Sequence, residues 1–162
     1  MNKAFHEIDK VSTFLSPNKV VIGKGVVQQI GAEIKALGGT KVLVVTDPGV
    51  MTAGLVTALE DALKAAGCPY EIYDKVEPEP PARVVDDCTA MARAGGFDLI
   101  IGFGGGSSLD VSKGVSLLGT NPGKILDYVG IDMVPKRALP KILIPTTAGT
   151  GSEVTRVFVV TD

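Results

Sequence analysis

Two glycine-rich segments hold the residues of this chain best suited to chemistry. The first is GFGGGSSLDVSKG, Gly102 to Gly114, and the second is PTTAGTGSEVT, Pro145 to Thr155. Each follows a short apolar run, Leu99-Ile100-Ile101 or Ile142-Leu143-Ile144. Each therefore reads as a loop at the carboxyl end of a buried strand, where open α/β sheets hold their ligands. Gly104, Gly105 and Gly106 have no Cβ to keep a pyrophosphate from the backbone N–H groups. The spacing Gly102-x-Gly104-x-x-Ser107 approaches the dinucleotide fingerprint, with Ser in place of the third Gly. It lacks the Gly-Lys-Ser/Thr ending of a Walker loop. Ser107 is expected to cap the following helix and to donate to a phosphate oxygen. A plain tight turn is the other use for three glycines at such a junction.

Asp110 and Lys113 follow on the same helix. Ser107-x-x-Asp110 has the form of a capping box; the alternative is a carboxylate near the ribose of a cofactor or near the substrate. Lys113 lies one turn on and can pair with Asp110. In the second loop six of the ten residues 146–155 carry a hydroxyl or a carboxyl. Thr146, Thr147 and Thr150 offer short donors to a ribose, a phosphate or a carboxamide. Asp47 ends the apolar run KVLVVT. A carboxylate there can accept both hydroxyls of an adenosine ribose and repel a 2′-phosphate, favouring NAD over NADP. It can equally begin the turn at Pro48-Gly49.

Composition narrows the chemistry further. The single histidine, His6, reads as an exposed terminal residue, so no His-based triad or multi-histidine metal site can be built from this chain. Cys68 and Cys88 have no CxxC spacing and read as idle thiols of a reducing cytoplasm. The net charge of −2 gives no general pull toward nucleic acid or anionic lipid. No apolar run reaches the roughly 20 residues of a membrane span, and MNKAFHEIDK lacks the plan of a signal peptide.

The elements that must position these residues alternate. Ser12–Leu15 and Lys19–Ile22 predict a small hairpin around Ser16-Pro17-Asn18. Val26, Val27, Ile30, Ile34 and Leu37 recur at helical spacing, and Gly38-Gly39 ends that helix. Lys41–Thr46 is apolar enough to be a strand buried on both faces. Leu55, Val56, Leu59, Leu63 and Ala66 mark a second helix, and Tyr70–Tyr73 a short strand. Glu77-Pro78-Glu79-Pro80-Pro81 excludes regular structure until its last proline, placed to open a helix whose apolar face is Val84, Val85, Cys88, Met91 and Ala92. Asp98–Ile101 predicts a strand, Ser107–Leu118 a helix, Lys141–Ile144 a strand and Val154–Thr161 a final strand. The order argues a doubly wound, mostly parallel, Rossmann-like α/β sheet as one domain over residues 1–162. The stop directly after the last strand reads as a domain from a longer protein, natural termination being the alternative.

Taken together, GGGSSLDVSKG, PTTAGTGSEVT, the strand ending in Asp47 and the expected hairpin before Gly23-Lys24-Gly25 make the chain similar to the iron-containing (group III) alcohol dehydrogenases. The resemblance runs over essentially the whole chain. It implies an N-terminal NAD(P)-binding domain, followed in the complete protein by a helical domain that holds iron or zinc through one Asp and three His. Those ligands would lie outside this chain, so the fragment alone is expected to be inactive. The resemblance further implies that Asp47 selects NAD, that Gly105, Gly106 and Ser107 hold the pyrophosphate, that Thr146, Thr147, Gly149 and Thr150 line the cofactor, and that Asp110 lies toward the nicotinamide. It implies hydride transfer between a primary alcohol, or its aldehyde, and the nicotinamide, and a homo-oligomeric complete protein. Two residues depart from the family's pattern: Glu79, where relatives commonly have Asn, and Val157, where some have a polar residue. A glycerol dehydrogenase or dehydroquinate synthase relative, which would differ at the Thr-Thr-Ala-Gly-Thr segment, and a non-catalytic nucleotide-binding module are the alternatives.

Overall fold

The apolar runs at Val42–Val45, Leu99–Gly104 and Lys141–Pro145 become adjacent strands of one parallel sheet. The structure, a computed structural model, describes residues 16–130 and 132–162. Its elements are a 3-10 turn Val26–Gln29, α1 Ile30–Ala36, β1 Val42–Val45, α2 Pro48–Thr52, α3 Thr57–Ala65, β2 Tyr70–Tyr73, α4 Ala82–Gly95, β3 Leu99–Gly104, α5 Gly106–Leu118 and β4 Lys141–Pro145. Short 3-10 turns also occur at Ile125–Tyr128 and Ser152–Val154. The strand order is β2-β1-β3-β4, with every pairing parallel. From β1 the chain steps outward to β2, then crosses back to β3 on the other side of β1. The sheet therefore changes winding direction between β1 and β3.

Period-two side-chain alternation divides the strands between two apolar layers. Val42, Val44, Leu99, Ile101 and Phe103 pack with α1 and α3 through Ile30, Ile34, Leu59 and Leu63. Leu43, Val45 and Ile100 pack on the opposite side with α4 and α5 through Val85, Cys88, Val111 and Val115. Such two-faced burial is why β1 and β3 read as unbroken apolar runs rather than alternating ones. The connector from Thr120 to Pro140 is held down by Asn121, 1% exposed, whose amide donates to Leu117 O and Lys136 O while its Oδ1 accepts from Lys136 N. Among the described residues no helix is long and apolar enough to cross a membrane.

Two expected strands are absent. The first arm of the N-terminal hairpin lies outside the described residues, as does His6. The second arm, Lys19–Ile22, carries no regular structure; Val20 is 58% and Ile22 91% exposed, so neither has an apolar layer to join. The segment Val154–Thr161 is likewise not a strand. It makes one parallel bridge, Pro81 to Thr161, and two of its peptide groups bond to side chains of α5 instead of to a neighbouring strand. β3 also runs further than expected, through Gly102 and Phe103 to Gly104. Gly102 thus belongs to the strand rather than to the loop.

Asp98 fastens the entry to β3. Its carboxylate accepts from Thr40 N, Lys41 N and the Thr40 hydroxyl. Burial pushes the carboxyl up, but these hydrogen bonds outweigh it and hold Asp98 below the usual carboxylate range. A group depressed in the folded state contributes stability above its unfolded value, about 3.9, and loses that contribution as pH falls through the lower folded value. Asp98→Asn is therefore expected to be less stable than the parent at pH 7, with the gap closing below about pH 4. Urea midpoints measured across that range check this; a gap independent of pH would contradict it.

Candidate functional site

At the switch point the carboxyl ends of β1, β3 and β4 open a cleft of about 700 Å³, within the usual size range of ligand pockets. Register places the strands for it. Val45 is level with Gly102, and Gly104 with Pro145. Hence the residues just past β1, β3 and β4 meet at one rim: Asp47 from the first, Gly105, Gly106 and Ser107 from the second, Thr146 and Thr147 from the third.

Each glycine at the end of β3 has a different reason to be glycine. A Cβ on Gly102 would stand 2.4 Å from Ser112 Oγ, so this residue lets α5 lie close on the strand. Gly104 has φ +154, and a Cβ there would stand 2.6 Å from Ser108 Oγ and 2.9 Å from Asp47 Oδ2. Gly105 has ordinary extended backbone, φ −76, and precedes α5 as its N-cap without any side-chain cap. A Cβ on Gly105 would meet nothing nearer than Thr147 Oγ1 at 3.4 Å, and one on Gly106 would meet Thr150 Cγ2 at 3.2 Å. These two glycines keep open the space between the loops. α5 is 13 residues long, and Gly106, Ser107 and Ser108 of its uncapped first turn line the same rim, which suits an anionic group.

The second loop is joined to the first at its start: Thr146 N donates to Gly104 O at 2.9 Å. Its far end is fastened to α5. Lys113, 3% exposed, donates from Nζ to Val157 O at 2.7 Å, Thr155 Oγ1 at 3.1 Å and Asp110 Oδ1 at 3.2 Å. Asp110 Oδ2 accepts from Val159 N at 3.1 Å.

Most of the expected site residues come together. Asp47, Gly105, Gly106, Ser107, Thr146 and Thr147 line the cleft. Gly149, φ +102, lies beyond it in the exposed loop, and Thr150 packs beside Gly106. Ser107 does not cap α5, because the helix begins one residue before it and Gly105 is the N-cap. Asp110 is not part of a capping box; it is not among the residues lining the cleft, and its oxygens are on Lys113 and Val159. Asp47 does take the turn-starting role, accepting Val50 N as the N-cap of α2, and lines the cleft as well. Glu79 has φ +48, the left-handed region that Asn enters more readily than Glu. An Asn at that place thus answers a backbone requirement.

Sequence reading passed over Ser108, whose hydroxyl donates to Asp47 Oδ2 at 2.9 Å, and Glu77, which joins the cleft from the loop after β2. A second serine after the glycines was the available signal for the former. The cleft's ionisable side chains, Asp47 and Glu77, are both acidic. Among the described residues no lysine or arginine lines it to receive a 2′-phosphate. Nor do these residues suit a metal: among the described residues no three His, Cys, Asp or Glu side chains converge, and burial pushes up both the Cys68 and Cys88 thiols, disfavouring the thiolates that metals bind.

Comparison with known proteins gives the family and the fold. The family described as iron-containing alcohol dehydrogenase matches residues 17–162. The sulfoacetaldehyde reductase of Bilophila wadsworthia is 46% identical over 144 residues, covering 89% of this chain and 37% of that protein. Long-chain-alcohol dehydrogenase 1 of Geobacillus thermodenitrificans is 42% identical over 152 residues, covering 92% of this chain and 38% of that one. Among solved structures, a 1,3-propanediol oxidoreductase superposes with a TM-score of 0.87 at 37% identity, over 91% of this chain and 38% of its own. The sulfoacetaldehyde reductase from Bifidobacterium kashiwanohense in complex with NAD+ superposes with a TM-score of 0.79 at 31% identity, over 90% and 39%. The chain thus spans less than two-fifths of the length of each of these relatives.

Proposed function

The chain belongs to the iron-containing alcohol dehydrogenase family, and from that premise we propose that it is the NAD-binding domain of a dehydrogenase acting on a primary alcohol or its aldehyde. The observation that carries this reading is the cleft at the β1–β3 switch point, lined by both the glycine cradle and Asp47. The pyrophosphate sits over Gly105, Gly106 and Ser107 at the N-terminus of α5. The Asp47 carboxylate accepts the adenosine ribose hydroxyls, and Thr146 and Thr147 hold the cofactor from the second loop. When bound, the nicotinamide supplies hydride transfer; these residues bind and orient it. Metal ligands and substrate contacts come from outside this chain, so residues 1–162 alone are inactive. The matched relatives act, by name, on sulfoacetaldehyde and on long-chain alcohols, which fits an alcohol choice made outside this cofactor domain.

The test is titration of the complete protein with NADH and NADPH, followed by a panel of primary alcohols. NADH is expected to bind at least tenfold more tightly, since a 2′-phosphate would meet Asp47, with no lysine or arginine among the described residues of the cleft to offset the repulsion. Equal affinity for the two would remove the role given to Asp47. Failure to bind either would remove the reading itself.

A further inference from the structure

Asp47 is held at both of its carboxylate oxygens, and the second hold comes from a residue with no other assigned role. We propose that Ser108 is a positioning residue for cofactor selectivity, fixing the Asp47 carboxylate so that it discriminates between NAD and NADP. The proposal rests on the reading of Asp47 as the ribose anchor. Ser108 is 0% exposed. Its hydroxyl donates to Asp47 Oδ2 at 2.9 Å, while Val50 N donates to Asp47 Oδ1 at 3.0 Å. One oxygen is thus tied to α5 and the other to α2, across the switch point. Ser108 is fixed in turn, because its carbonyl accepts from Ser112 Oγ. Only glycine at 104 leaves room for the pair, since a Cβ there would stand within 3 Å of both Ser108 Oγ and Asp47 Oδ2.

The clamp matters because selectivity needs a carboxylate that does not move. A free aspartate turns away from an incoming 2′-phosphate by changing rotamer, and the repulsion is then largely lost to solvent. With both oxygens engaged that escape is closed, while each oxygen keeps a further lone pair for a ribose hydroxyl. Hydrogen bonds to an ionised acceptor are strong enough to enforce this.

The experiment is a double-mutant cycle read as NADH and NADPH dissociation constants on the complete protein, by calorimetric titration. Ser108→Ala is expected to narrow the NADH-over-NADPH preference roughly fivefold. Ser108→Cys, which is slightly larger and donates only weakly, is expected to shift it the same way and serves if the alanine variant does not fold. Asp47→Gly is expected to abolish the preference, and adding Ser108→Ala to it is expected to change the ratio no further. If Asp47→Gly abolishes the preference while both Ser108 variants retain it, Ser108 is merely structural and the proposal falls with the Asp47 reading intact. An equal shift from Ser108→Ala in the Asp47→Gly background also overturns it. If Asp47→Gly leaves the ratio unchanged, the Asp47 reading fails first and takes this proposal with it.

Discussion

Lys113→Met should lower the melting temperature by about 10 °C. The Lys113 ammonium is 3% exposed and satisfied by three acceptors, Asp110 Oδ1, Thr155 Oγ1 and Val157 O. The methionine keeps the length of the side chain, so packing is nearly preserved and the loss is electrostatic. What remains is a carboxylate 13% exposed that keeps only the Val159 N–H, and a peptide carbonyl that keeps only the Thr155 hydroxyl. Removing one partner of a buried pair costs about 3 kcal/mol or more, and each kcal/mol moves the midpoint of a domain this size by about 2–4 °C. Pairing it with Asp110→Asn separates the causes. If the uncompensated carboxylate is the main cost, the double variant should recover part of the loss. A drop of only a degree or two in thermal unfolding would mean that the 155–159 segment is not held by this lysine.

The same cluster explains a limit on what the sequence discloses. Val154–Thr161 has the β-branched composition of a strand, and nothing local argues otherwise. Two of its peptide groups, Val157 O and Val159 N, are taken by Lys113 and Asp110 from a helix more than forty residues earlier. Propensity is a local quantity, and those partners are not local. By contrast β1 and β3 were legible because burial on both faces leaves its mark within each strand as an unbroken apolar run; β4 carries a similar run but is only partly buried. The glycine cradle was legible for a similar reason: the chemistry it performs is carried by consecutive backbone groups. Asp47 was half legible. Its position at a strand end suggested both a turn and a ribose anchor, and it caps α2 while lining the cleft. Ser108 was not legible, since its meaning depends on an aspartate sixty-one residues away. Nor were the partners of Asp110 legible, since spacing does not say which of its neighbours a carboxylate will face.

Gly105→Val should fold with nearly parental stability and lose cofactor binding by a hundredfold or more. The backbone at Gly105, φ −76 and ψ −174, is open to any residue, so valine brings no strain. Its Cβ meets only Thr147 Oγ1, at 3.4 Å. The cost to folding is limited to a poorer N-cap, on the order of 0.5 kcal/mol. The branched side chain, however, projects into the space between the two loops and bars a phosphate from the N–H groups of α5. Losing several charge-assisted hydrogen bonds at once amounts to about 3 kcal/mol, or a hundredfold in affinity. Gly102→Ala is the necessary contrast. There a single methyl would meet Ser112 Oγ at 2.4 Å and Leu143 Cδ2 at 3.0 Å, prising α5 from β3 at a cost of about 1–3 kcal/mol. The two substitutions lie three residues apart in one motif. Unfolding midpoints and NADH titrations on both should show opposite profiles, Gly102→Ala losing mainly stability and Gly105→Val mainly affinity. Should Gly105→Val bind NADH as the parent does, the cradle is not where the pyrophosphate sits, whatever the motif resembles.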